Sequence, residues 1–139
     1  MFIVVPDFVE WFLKELTVVH PVAEPMRLIY CHGCPYGFPV TEDGLMPHGA
    51  YGEKMAIILG IGDDWQELQT EDGPAYNSRR EAIMDVLNTI AHEYAHHIQF
   101  LDGKLPDQMT EESEKEAEAI SEQIMAKIKI PEKFLEDQA

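Results

Sequence analysis

Apolar residues recur every three to four positions in three stretches of the chain, and each repeat predicts a helix with one buried face. Phe8, Val9, Phe12, Leu13 and Leu16 form the first, which starts after Pro6 with Asp7 and Glu10 as a capping box and ends near Val19. Ile83, Val86, Leu87, Ile90, Tyr94, Ile98 and Leu101 form the second, predicting a helix over 79–101 with Ser78 as N-cap and Glu81 as its partner three residues on. Ala117, Ile120, Ser121, Ile124, Met125 and Ile128 form the third. That helix runs from an N-cap at Thr110 to about Ile130, with Glu111 and Glu112 in its first turn and Lys127, Lys129 and Pro131 at its end, a polarity that suits the helix dipole.

Strand signals are confined to the first half. Met55 to Ile61 is a β-branched run bounded by Gly52 and by Gly62, Asp63 and Asp64, and Met26 to Cys31 and Tyr36 to Thr41 read as shorter strands. Polar, glycine-rich loops are expected over 42–54 and 63–77. Together these elements predict an α+β fold with a small mixed sheet. With 139 residues, 45% of them hydrophobic, one domain with its own core is expected. Its parts are an N-terminal helix and sheet (1–77), a helical pair (78–130) and a tail (131–139) whose Phe134 and Leu135 tuck onto the core.

On the second helix stands His92-Glu93-Tyr94-Ala95-His96. Histidines four apart share one helix face and can hold one metal ion, and the glutamate after the first is placed to activate water: this is the HExxH pattern of zinc peptidases. At about 100° per residue, both histidines project away from the apolar stripe and toward a cleft, whereas His97 projects onto the stripe and is expected to be a hydrogen-bonded core residue.

Zinc needs a third protein ligand and an open fourth position in a catalytic site. Asp102 has the spacing of a third ligand in some extracellular enzymes, but Gln99 stands where those carry a turn glycine. The third helix offers more carboxylates. Projection puts Glu114 within its apolar stripe, Glu118 at the margin and Glu116 and Glu122 outside, and a carboxylate on a buried face is costly unless paired or metal-bound. Glu114 is therefore the preferred ligand, with Glu118 one turn on as the outer partner of a ligand histidine.

HExxH followed by Glu114-Lys115-Glu116-Ala117-Glu118 resembles the gluzincin arrangement, in which a separate helix delivers a glutamate ligand, and the short chain resembles the minigluzincins. Glu118-Ala119-Ile120-Ser121-Glu122 resembles a rival register with Glu118 as ligand and Glu122 behind it. The resemblance implies a compact zincin-like fold and a Zn2+-dependent peptidase, with His92, His96 and Glu114 on the metal and Glu93 as general base and then acid. It also implies a second oxyanion donor, for which His48, Tyr51, Tyr76 and Arg80 are unranked candidates, and a substrate-pairing edge strand, for which Met55 to Ile61 competes with a plain central-strand role. Latency through a C-terminal tail lying in the cleft is a further implication. A noncatalytic zincin-like domain that binds metal or a protein is the alternative function.

The formal net charge of −16 disfavours nucleic-acid and anionic-membrane partners, which need basic surfaces, and leaves a peptide or protein substrate as the expected partner. Met1 to Val5 meets Pro6 too soon for a signal peptide and no apolar run spans a bilayer, so a soluble cytoplasmic protein is expected. Cys31 and Cys34 form a single C-x-x-C, half of a second metal signature, and read first as reduced thiols in a turn. Neither the oligomeric state nor the natural substrate is legible.

Overall fold

The computed structural model describes residues 7–32, 49–52, 55–60, 69–70, 73–74, 76–106 and 110–136. Helix α1 spans Asp7–Val19, strands β1, β2 and β3 span Arg27–His32, Gly49–Gly52 and Met55–Gly60, and β4 and β5 are the two-residue strands Gln69–Thr70 and Gly73–Pro74. Helix α2 spans Arg79–Leu101, α3 spans Glu111–Lys127 and α4 is the single turn Glu132–Leu135.

The three long helices follow from their patterns and caps. The Ser78 hydroxyl accepts from the Glu81 amide at the start of α2, and the Glu81 carboxylate reaches back to the Asn77 amide, one residue before the expected partner. Thr110 caps α3 by accepting from the Ser113 amide.

The α+β expectation is corrected here: the described chain is mostly helical. The four helices hold 13, 23, 17 and 4 residues, while no described strand exceeds 6. The buried cluster, which includes Phe12, Leu16, Val86, Leu87, Ile90, Tyr94, Ile124 and Leu135, is drawn from the helices and the C-cap of α3, with Leu28 of β1 among the partly buried residues packed on it. The physical reason is the 3.6-residue period, which gives α2 enough apolar positions to pack on several sides at once; from Glu93 to Gln99 every residue of it is buried. The strands lie beside this helical core in the order β1-β3-β2, β1 parallel and β2 antiparallel to β3.

Three local expectations change as well. Met55–Gly60 is flanked on both sides, Ile57 pairing with Ile29 of β1 and with Ala50 of β2, so its backbone groups are used and it cannot serve as a substrate-pairing edge. The loop expected over 42–54 contains β2, and the loop over 63–77 contains the β4–β5 pair. The Tyr36 to Thr41 strand lies outside the described residues. Among the described residues no helix is long and apolar enough to cross a membrane.

The tail does reach the core. Leu135 is buried, Phe134 packs against Trp11 and Phe8 with ring centroids 5.6 and 6.5 Å away, and Arg79 and Arg80 bind the Phe134 carbonyl and the Glu132 carboxylate. These contacts tie α4 to the start of α2, about 20 Å along the helix from His92 at 1.5 Å per residue. Leu135→Ala is expected to lower the free energy of unfolding by about 2 kcal/mol or more. Urea titration checks this, and an unaltered midpoint would mean that α4 is not part of the packed structure.

Candidate metal centre

Helices α2 and α3 are the most extensively packed helix pair. The buried face of α3 is Ser113, Ala117, Ser121 and Ile124, three of them small, which permits close approach. This contact brings His92 and His96 of α2 to Glu114 in the first turn of α3.

The geometry is tight. His92 Nε2 lies 3.2 Å from His96 Nε2. One Glu114 oxygen, Oε2, is 3.2 Å from His92 Nε2, and the other, Oε1, is 3.2 Å from His96 Nε2. Ligand atoms about 2.0–2.1 Å from one ion at tetrahedral angles stand about 3.3 Å apart; the two nitrogens have that spacing, and each has it to a different Glu114 oxygen. The His92-His96-Glu114 group could therefore hold a metal ion.

Burial grades across the site. The His96 side chain is 5% exposed, that of His92 30% and that of Glu114 46%. The sequence projects both histidines toward a cleft; His92 borders a cavity, while His96 is buried against Glu114 of the first turn of α3. The projection of Glu114 onto the contact face agrees with its aim at the histidines, but the carboxylate is not deeply buried; it sits at the open end, beside the half-exposed His92.

Hydrogen bonds assign the histidine tautomers. Gln99 gives an amide N–H to the Ser113 carbonyl at 3.0 Å, and a carbonyl can only accept, so its Nε2 faces α3. Its Oε1 then faces His96 Nδ1 at 2.8 Å, and that nitrogen must carry the proton. In the neutral ring this leaves Nε2 of His96 with a free lone pair directed at the cage. His97 adopts the opposite arrangement. Its Nε2 donates to the Glu24 carbonyl at 2.7 Å, so Nδ1 accepts the Tyr51 hydroxyl at 2.7 Å, and the ring is wholly buried. It is a core histidine, as its place on the stripe anticipates.

Glu93 is buried beside the cage. Burial first, and the Glu114 carboxylate second, push its carboxyl up from the ordinary value of 4.5 to about 7. A divalent ion, if held by Glu114, would offset the second cause.

The other expected residues fall elsewhere. Glu118 is exposed and borders, with His92, Asn88, Ser121, Glu122 and Met125, a cavity of about 750 Å³. No described contact joins its carboxylate to a histidine; the acceptor on His96 is Gln99, which sequence reading treated only as a missing turn glycine. Asp102 is the C-cap of α2 and is not among the clustered ligands. Among the oxyanion candidates, Tyr51 donates to His97, Tyr76 donates to Asp85, Arg80 pairs with Glu132 and His48 lies outside the described residues. Cys34 is also outside them, and Cys31 is on β1.

His92→Ala, His96→Ala and Glu114→Ala are each expected to weaken divalent-metal binding by more than the roughly 10–100-fold that loss of an outer partner costs. Glu118→Ala should leave it nearly unchanged. Isothermal titration calorimetry checks the order, and a larger loss in Glu118→Ala than in Glu114→Ala would select the rival register. Compared with family models, curated proteins and solved structures, the chain matches none, so the site's own geometry carries the functional reading.

Proposed function

We propose that this protein is a zinc-dependent peptidase of the gluzincin type, with His92, His96 and Glu114 as the metal ligands and Glu93 as the proton carrier. The observation that carries the reading is the 3.2 Å triangle of two imidazole nitrogens and a carboxylate with a buried glutamate adjoining it in sequence.

The donor set fits the metal. Two imidazoles and one carboxylate on a tetrahedral spacing suit zinc, and three protein ligands leave a position for water or substrate. Bound there, zinc would supply Lewis acidity, making water more acidic and a peptide carbonyl more electrophilic. Glu93 takes the proton of the attacking water and passes it to the amine that leaves. His96, held by Gln99, keeps its lone pair on the cage side throughout. The cavity beside His92 offers a substrate room next to the ligands. In the three-stranded sheet the edges belong to β1 and β2; Tyr51 of β2 touches His97 and Phe100 of α2, which puts β2 on the helix that carries the motif.

A noncatalytic metal-binding domain is the second reading, favoured by the engagement of the Tyr51 and Tyr76 hydroxyls with His97 and Asp85, which leaves neither donor turned to a substrate oxyanion. Self-inhibition by the tail draws no support from the described residues, because α4 is tied to the far end of α2.

The discriminating variant is Glu93→Gln. It is expected to bind zinc like the parent while peptide cleavage falls by about 10²–10⁴-fold, the usual contribution of a general base. Both are read on zinc-loaded protein, by elemental analysis and by a mixture of internally quenched peptides. A zinc-loaded parent that cleaves none of them would support the noncatalytic reading instead.

A further inference from the structure

The two helices of the metal centre are joined by one side chain outside the HExxH motif. Gln99 is fully buried, accepts from His96 Nδ1 at 2.8 Å, donates to the Ser113 carbonyl at 3.0 Å and approaches the Glu116 carboxylate at 3.3 Å. Ser113 is the residue before Glu114. One amide therefore touches the second histidine of the motif with its oxygen and the backbone beside the third ligand with its nitrogen.

We propose that Gln99 is the positioning residue of the metal centre, fixing the His96 tautomer through its oxygen and the seat of Glu114 through its nitrogen. This rests on the metal-binding half of the reading above and not on peptide hydrolysis. An amide suits the task because it is an acceptor at one end and a donor at the other, separated by the width of the group. A carboxylate accepts at both ends and would face the Ser113 carbonyl and Glu116 unfavourably. An aliphatic residue supplies neither bond: it leaves His96 Nδ1–H without its acceptor and removes the tie from α2 to the Ser113 carbonyl.

His92 makes the comparison internal to the site. Its Nδ1 has no hydrogen bond among the described residues, and its ring is part-exposed. The cage therefore has one prearranged histidine and one adjustable one, and the prearranged one is the one Gln99 holds. A polar cavity of about 220 Å³ adjoins Gln99, bordered by Lys104, Thr110 and Glu116 among others. Water entering from it can take over the bond to His96 when Gln99 is truncated to alanine, whereas leucine excludes water and removes the bond.

The test compares the parent with Gln99→Leu, Gln99→Ala and Gln99→Glu by two readouts. The first is the 15N shift of His96 in metal-free protein, which reports its tautomer. The parent is expected to hold the proton on Nδ1, Gln99→Leu to give a mixture, and Gln99→Glu, which keeps an acceptor, to recover the parent tautomer. The second is zinc affinity by chelator competition: about 10–100-fold weaker in Gln99→Leu, less so in Gln99→Ala, and still reduced in Gln99→Glu because the Ser113 bond is missing. A parent tautomer and parent affinity in Gln99→Leu would overturn the proposal. Should the parent take up no zinc, the metal reading fails, while the nitrogen shifts still decide whether Gln99 sets the His96 tautomer.

Discussion

The candidate metal centre depends on the packing of α2 against α3. The HExxH residues lie on one helix and Glu114 on another, and the 3.2 Å spacings from Glu114 to the two histidines exist only while the two helices stay in register. The small buried face of Ser113, Ala117 and Ser121 allows the approach, and Gln99 converts it into a defined register by bonding the Ser113 carbonyl. Bringing two nitrogens and a carboxylate oxygen this close is unfavourable unless a cation or a proton lies among them. The wider fold supplies the opposing free energy: α2 runs through the buried cluster, with α4 tied to its start and Tyr94 bonded to the His20 carbonyl just after α1.

Adjacent histidines on one helix illustrate how a single backbone can serve two purposes. His96 and His97 are separated by about 100° around α2. That step turns one ring toward Glu114 and the other into the core against Tyr51 and the Glu24 carbonyl. Each tautomer is imposed by a carbonyl that can only accept, directly for His97 and through Gln99 for His96. The result is a lone pair on the cage side of one ring and a saturated, buried ring next to it.

Much of this was legible in the sequence and some of it was not, for definable reasons. The bounds of α2 followed from its apolar period and from Ser78, a local cap chemistry. Glu114 followed from its face on α3, although its exposure did not, because burial at a helix end depends on what roofs it. Helical dominance is not legible locally, because a strand-like run such as Met55 to Ile61 signals a strand without showing that the helices supply the buried cluster. The central place of β3 depends on its long-range pairing with β1, which no local pattern encodes, whereas β2 pairs with the strand that follows it but lies in a glycine-rich segment that reads as a loop. Gln99 escaped notice because a lone amide has no motif; its meaning arises only when α3 arrives.

Anomalous scattering at the zinc absorption edge, from crystals grown with the metal, tests the central claim most directly. A single strong peak about 2.0–2.1 Å from His92 Nε2, His96 Nε2 and a Glu114 oxygen is the predicted result. A zinc peak elsewhere, or none at these three side chains, would contradict it.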